Sequence, residues 1–355
     1  MLKKDIDCMQ LRILVTGAAG FIGSHVMLEL AKAGCDVTGI DTINSYYSEK
    51  LKYARLNQCG IATDEASWEG NICQSKRFDH CRFIRMSISD AEAMNRLFNR
   101  WQFDKVINLA AQPGVRYSLE NPQAYLHSNI DGFLNVLEGC RHHGVKHLIF
   151  ASSSSVYGLC DKVPFKEDFK VDTPVSLYAT SKKSDELMAF AYSKLYGFTT
   201  TGLRYFTVYG PWGRPDMAPM LFANAISQGQ PIKVFNNGDM IRDFTYIDDI
   251  VKGTLQVVFN DHIANFCELG VPHRVYNIGC SRPVKLMDFI NELETALGKK
   301  AVKNFLPMQP GDVYETYADT SRLEQEIGYK PQVTLHEGIK RFAQWYLSDD
   351  NVLRP

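Results

Sequence analysis

The chain has 355 residues, which at about 150 residues per domain suggests two units. Its composition, 45% hydrophobic, 12% aromatic and 22% charged, supplies a buried core and excludes disordered, collagen-like and coiled-coil readings. Thirty-nine Lys and Arg against 40 Asp and Glu leave a net charge of −1, so nothing draws the whole surface to nucleic acid or an anionic membrane. Any phosphate recognition has to be local.

Nine cysteines, Cys8, Cys35, Cys59, Cys73, Cys81, Cys140, Cys160, Cys267 and Cys280, are scattered, odd in number and never spaced C-x-x-C. That pattern fits reduced thiols in a cytoplasmic protein better than a disulfide framework or a zinc site. Lys3 and Lys4 are followed by Asp5 and Asp7 where a signal peptide needs an apolar stretch. No run of about 18 apolar residues occurs, so no membrane span is expected.

In chain order, short β-rich runs alternate with helical patterns: Leu11–Thr16, Val37–Asp41, Arg82–Met86, Val106–Leu109, Leu148–Ser152, Thr201–Tyr205 and Val275–Ile278. Strands separated by amphipathic helices require right-handed crossovers and a buried parallel sheet, which predicts a doubly wound α/β fold. Glu49–Gln58 reads as a helix inside the long segment 42–80, whose remainder carries no clear period. Residues 206–247, rich in Gly, Pro and Asn, and the mainly helical stretch after Pro283, with a weak strand near Lys303–Leu306, interrupt the alternation. They predict a smaller domain of 206–247 plus 283–355, interleaved with a larger one of 1–205 plus 248–282. In Tyr246-Ile247-Asp248-Asp249 the acids read as a structural helix start.

The first strand runs into Thr16-Gly17-Ala18-Ala19-Gly20-Phe21-Ile22-Gly23 and then a helix. Glycines here allow a tight turn, close approach of the backbone to a pyrophosphate and tight packing of helix on strand. The same glycines would serve a turn without a ligand. Asp41 ends the second strand, roughly the 20 residues beyond the glycines at which a carboxylate meets the ribose hydroxyls of a dinucleotide. It would repel a 2′-phosphate, and no Arg adjoins it in sequence, so NAD is favoured over NADP. Asn108-Leu109-Ala110-Ala111 puts small residues at the end of the fourth strand, where a flat cofactor would lie.

Tyr178 and Lys182 are four apart at a helix start, which sets phenol and ammonium on one face. A Tyr with a reference pKa of about 10 becomes a usable base near neutrality only beside positive charge. Such a pair alone is common on helix surfaces. Here it follows Ser153 by 25 positions, and Ser152, Ser153, Ser154 and Ser155 lie at a strand end, where parallel sheets bind ligands. His142 and His143 near Cys140 lack the spacing of a metal site and suit a helix C-terminus instead.

These motifs resemble the extended short-chain dehydrogenase/reductases, and within them the nucleotide-sugar 4-epimerases. The resemblance runs from about Leu11 to Leu347. Asn44-Ser45-Tyr46-Tyr47, Gln112-Pro113-Gly114-Val115-Arg116-Tyr117-Ser118, Ser176-Leu177-Tyr178 and the long string Arg204-Tyr205-Phe206-Thr207-Val208-Tyr209-Gly210-Pro211-Trp212-Gly213-Arg214-Pro215-Asp216-Met217 are similar to UDP-glucuronate 4-epimerases in particular. The resemblance implies that Tyr178 takes the proton of the sugar 4-hydroxyl, Lys182 holds the nicotinamide ribose, and Ser153 bridges sugar and phenol. It implies a cofactor seat of Gly17, Gly20, Phe21, Ile22, Gly23, Asp41, Ile88, Leu109, Ala110 and Ala111. It also implies that Arg242 pairs with the diphosphate, a task suited to a guanidinium fork, and that Phe235 packs on uracil, although a core aromatic at a strand end reads the same way. Ser87 stands where related epimerases often carry an Asp toward the adenine. Met308-Gln309-Pro310-Gly311-Asp312 lacks the Arg of hexose epimerases before Asp312, as in the uronate enzymes.

The expected activity is therefore NAD-dependent inversion of C4 in a UDP-sugar, most of all UDP-glucuronate, through a 4-keto intermediate, with UDP-glucose and UDP-N-acetylhexosamines as alternatives. A 4-keto uronate is a β-keto acid that loses carbon dioxide readily, so the site must grip the carboxylate; Ser154, Ser155, Thr207 and Arg214 are the candidates. A dehydratase or decarboxylase would need carboxylic acids at the positions of Ser154 and Ser155, and a catalytically silent nucleotide sensor would not need Tyr178 with Lys182. A homodimer through residues 121–143 and 178–196 is the remaining expectation.

Overall fold

The computed structural model describes residues 11–266, 269–308 and 314–354. Fourteen strands are numbered here in chain order: β1 Arg12–Thr16, β2 Asp36–Asp41, β3 Ile72–Gln74, β4 Cys81–Arg85, β5 Lys105–Asn108, β6 His147–Ser153, β7 Thr199–Tyr205, β8 Thr207–Tyr209, β9 Pro231–Val234, β10 Ile241–Tyr246, β11 His273–Ile278, β12 Pro283–Lys285, β13 Val302–Phe305 and β14 Glu315–Thr316. Eight of them form one sheet in the order β11-β7-β6-β5-β1-β2-β4-β3, parallel throughout except for β3. Ile13, Leu14 and Val15 have no exposed surface, as expected of strands covered by helices on both faces.

The strand order reverses between β1 and β5. Doubly wound sheets open a crevice beyond the strand ends at such a point, and this one fixes where the site can be. The Thr16 hydroxyl donates to Asn108 Oδ1 at 2.6 Å and accepts from Ala110 N at 3.0 Å, locking the two strand ends together.

Strand ends differ from the sequence reading by a residue or two, because fraying termini carry no period of their own. Larger differences lie where elements are short. The segment after Gln58 contains the single turn Thr63–Ala66 and β3, which pairs antiparallel with β4 and closes the sheet edge; three residues are too few to show alternation. Residues 206–247 hold the helix Ala218–Gln228 and strands β8, β9 and β10. β10 is flanked by β8, β12 and β14, and β9 pairs in parallel with β13. The helix Ile247–Val258 begins where its acids suggested, yet the Asp249 carboxylate accepts from the N–H groups of Gln332 and Val333 at 2.9–3.0 Å rather than from its own first turn. Being buried, it takes the amides that pack against it.

His147 is buried in β6 with its Nε2 2.8 Å from the Thr201 hydroxyl, and burial, aided by Lys105, lowers its pKa to about 3. His25 and His273 are lowered to about 4, again mainly by burial. Between those values and the ordinary 6.5 of an unfolded His, only the unfolded chain binds the protons. Stability should therefore fall as pH drops from about 6.5 toward 5, by roughly 1.4 kcal/mol per pH unit for each such histidine at most. Denaturant unfolding between pH 7.5 and 5 measures it, and a flat profile would contradict the burial argument.

Candidate active site

A cavity of about 580 Å³ opens beyond the carboxyl ends of β1, β2, β5 and β6. At one end lies the turn from β1 into the helix Phe21–Lys32. Gly17 has φ +67°, and a Cβ there would stand 2.7 Å from Ala110 N; a Cβ on Gly23 would stand 2.1 Å from the Gly17 carbonyl oxygen. Only glycine permits this approach, which leaves bare backbone on the cavity side. Gly17, Gly20, Phe21, Ile22 and Gly23 all line the cavity, as do Asp41, Ile88, Leu109, Ala110 and Ala111. The glycine turn, the helix start and the Asp41 carboxylate together fit a dinucleotide.

Asp41 accepts from Ile43 N at 2.8 Å and Ala19 N at 3.2 Å, so backbone amides fix its orientation. Sequence adjacency gave it no cationic neighbour, but the fold sets Lys52 beside it on the cavity wall, where Lys52 Nζ donates to the Asn44 carbonyl at 2.8 Å and to Asn44 Oδ1 at 2.7 Å. Burial lowers the Lys52 pKa, while Asp41 opposes that shift.

At the middle of the cavity stand Tyr178 and Lys182 on the helix Leu177–Tyr196, capped by Ser176, whose side chain accepts from Ala179 N at 3.1 Å. Tyr178 meets Tyr125 edge to face at 6.1 Å, and the Tyr125 hydroxyl donates to the Pro113 carbonyl at 2.8 Å. Lys182 is buried and bonded to Asp185 at 3.0 Å; burial raises the Asp185 pKa to about 7 against the pull of Lys182. Asn129 sits in a widened helical turn, Leu126–Asp131. It accepts from Gln112 N at 2.7 Å and donates to the Ser181 hydroxyl at 2.9 Å, tying the loop after β5 to the Tyr178 helix. Such wide turns recur at functional sites. Nothing in the sequence pattern marked Asn129.

Ser153, Ser154 and Ser155 line the cavity where β6 ends in a tight turn, and the Ser153 hydroxyl donates to Ser155 Oγ at 3.1 Å. Behind them, Arg204 makes two 2.8 Å bonds to Glu186, which also accepts from Ser152 at 2.7 Å. This buried pair fastens the serine turn to the Tyr178 helix, and removing either partner of such a pair typically costs about 3–5 kcal/mol. Thr207 and Arg214 also line the cavity. Phe235 and Arg242 lie outside the cavity lining. Phe235 has the Arg116 guanidinium 5.4 Å above its ring, and Arg242 Nη1 donates to the Ile241 and Tyr314 carbonyls at 2.8 and 3.0 Å. Asp312 falls outside the described residues.

The model of the NAD dependent epimerase/dehydratase family matches residues 13–279. The chain belongs to that family. It is 46% identical to the protein CapI of Staphylococcus aureus over 95% of this chain and 98% of that one. It is 45% identical to UDP-glucuronate 4-epimerase 1 of Arabidopsis thaliana over 95% of this chain and 76% of the relative. Among solved structures it resembles the UDP-glucuronic acid 4-epimerase of Bacillus cereus in complex with UDP-glucuronic acid and NAD, with a TM-score of 0.82, 34% identity and coverage of 94% and 98% of the two chains. The family's NAD dependence matches the chemistry of the glycine turn and Asp41 in this chain.

Two outcomes test these assignments. Asp41→Ala should weaken NAD binding, each hydrogen bond to a charged group being worth roughly 1.5–3 kcal/mol, and should erode the preference for NAD over NADP in a titration followed by fluorescence. An unchanged preference would remove Asp41 from the ribose. Tyr178→Phe should slow turnover by about 10²–10⁴ while UDP-sugar affinity stays near the parent's, and steady-state kinetics with a binding isotherm checks both.

Proposed function

We infer that this chain is an NAD-dependent 4-epimerase of UDP-sugars whose substrate is UDP-glucuronate, converted to UDP-galacturonate through a 4-keto intermediate. The observation that carries the reading is that the glycine turn, Asp41, the Tyr178/Lys182 pair, the serine turn and Arg214 all face one cavity. Arg214 is the only guanidinium among the described residues lining it, and the Asp216 carboxylate paired with it holds its charge. A half-buried guanidinium close to the base suits a carboxylate on the carbon next to the one that reacts.

In this reading, residues 1–205 and 248–282 carry the cofactor, while 206–247 and 283–355 hold the nucleotide sugar. NAD, when bound, accepts the C4 hydride and returns it. Tyr178 takes the proton from O4 as the ketone forms and gives it back after the ring has turned over. Lys182 fixes the ribose end of the site and sets its ammonium on the same helix face as the phenol. Ser153 orients O4 toward Tyr178. Ser154, Ser155, Thr207 and Arg214 hold the carboxylate so that the C5–C6 bond stays out of line with the carbonyl π system, which suppresses decarboxylation. Phe235 and Arg242 belong to the nucleotide end, with uracil and diphosphate as their respective targets.

Asp41 is the only carboxylate among the described lining residues. It sits at the cofactor end, so among the described residues no acid lines the sugar side to move protons at C5 or C6. That disfavours dehydration and catalysed decarboxylation. The Tyr178/Lys182 pair, in turn, disfavours a silent sensor.

We place a second copy of the chain on the packed helices Gly132–His142 and Leu177–Tyr196, where Leu134, Leu187, Leu195 and Tyr196 are exposed. Light scattering after gel filtration should give twice the chain mass; the mass of one chain would remove the dimer.

Arg214→Ala or Thr207→Ala should let the 4-keto uronate align for loss of carbon dioxide. The expected outcome is a UDP-4-keto-pentose with released carbon dioxide, seen by NMR, in one or both variants. Variants that merely slow, as any misplaced substrate would, and yield only epimerised uronate would show that these side chains do not guard the carboxylate.

A further inference from the structure

Arg214 meets the cavity with only part of its donor fork. Its Nε donates to Asp216 Oδ1 at 3.1 Å and its Nη2 to Asp216 Oδ2 at 2.5 Å, in the two-point arrangement by which guanidinium recognises any carboxylate. Beyond these two bonds its fork makes no further hydrogen bond of good geometry to the described residues, with only the Tyr46 hydroxyl also within its reach. Asp216 itself does not line the cavity. It also accepts from the Tyr46 hydroxyl at 3.0 Å. Tyr46 is wedged by the bare backbone of Gly114, where a Cβ would stand 2.7 Å from its oxygen. Burial works against ionisation of Asp216, but Arg214 and Tyr46 hold its carboxyl below the usual carboxylate range, while burial and Asp216 push the Tyr46 phenol up to about 12. Asp216 is therefore a carboxylate at neutral pH and Tyr46 its donor.

Inversion at C4 sets a second condition on the carboxylate grip besides preventing decarboxylation. The ketone must show its other face to the same hydride donor, so the ring and its C5 substituent must turn between the two halves of the reaction. A carboxylate seated on both arms of an uncompensated guanidinium would resist that movement. Resting on the reading that Arg214 faces the uronate carboxylate, we propose that Asp216 is a positioning residue that aims the Nη1 edge of Arg214 into the cavity and neutralises enough of its charge for the substrate carboxylate to be released as the keto sugar turns. Asp216 occupies one edge of the fork permanently, so the substrate receives the other edge and a weaker field. The carboxylate is held in either orientation without being trapped in one.

The test is Asp216→Asn, which keeps the shape and removes the charge. KM for UDP-glucuronate should fall and kcat should fall with it, each by about tenfold, because a tighter ground state is not matched in the step that needs rotation. The inhibition constant of UDP, which has no sugar carboxylate, should stay within about twofold of the parent. A raised KM, or KM and kcat both unchanged, would overturn the proposal. Should that variant not fold, Asp216→Ser removes the same charge and is read by the same outcomes. Arg214→Ala separates this proposal from the reading beneath it. If its KM for UDP-glucuronate is unchanged, Arg214 is not the carboxylate's partner at all. If that KM rises while Asp216→Asn also raises KM, the grip stands and only the role given to Asp216 fails.

Discussion

The Arg55 guanidinium is almost wholly inside the protein, and each group it bonds is an uncharged oxygen. It donates to the Ala19 carbonyl at 3.0 Å, the Tyr47 hydroxyl at 2.6 Å, the Trp212 carbonyl at 2.6 and 3.0 Å and the Gly213 carbonyl at 3.3 Å. A buried cation is unfavourable unless its donors are satisfied, and Arg55 reaches that condition only when three segments far apart in sequence converge on it. Those segments are the glycine turn of the cofactor end, the loop after β2 and the stretch that carries Arg214. The spacing between the glycine turn and the stretch that carries Arg214 is thus tied to one side chain, and neither can shift without leaving donors of a buried charge unpaired.

The remaining groups are placed by equally rigid parts. Tyr178 and Lys182 ride on a 20-residue helix capped by Ser176, the serine turn is fastened to that helix through Glu186 and Arg204, and Asn129 ties in the loop after β5. Preorganisation of this kind is what a two-stage reaction needs, because the same base must receive a proton in the first half and return it in the second. What has to move is the substrate. On the proposed reading, that places the demand for freedom on the contacts to its carboxylate and not on the base.

The doubly wound sheet was legible in the sequence because buried parallel strands such as Leu11–Thr16 and Val37–Asp41 are short β-rich runs separated by amphipathic helices. The glycine turn, Asp41, Tyr178 and Lys182 were legible because their spacing reflects strand and helix geometry. β3 and the strands around β10 were not, since runs of two to six residues carry too little period to separate from loop. Arg55, Asn129 and Asp216 were illegible for a different reason: their meaning lies in partners 17 to 158 positions away, as with Arg55 and Gly213 or Asn129 and Gln112, or in a neighbour already read for something else, as with Asp216 and Arg214. Lys52 beside Asp41 shows the same limit, since adjacency in space reversed what adjacency in sequence implied about nearby charge.

The most direct test of the account is to incubate the purified chain with NAD and a panel of UDP-glucuronate, UDP-glucose and UDP-N-acetylglucosamine, and to follow the anomeric protons by NMR. The account predicts that UDP-glucuronate alone, or far ahead of the others, equilibrates with UDP-galacturonate and that no 4-keto-pentose accumulates. Equal turnover of UDP-glucose, or a decarboxylated product from the parent protein, would contradict it.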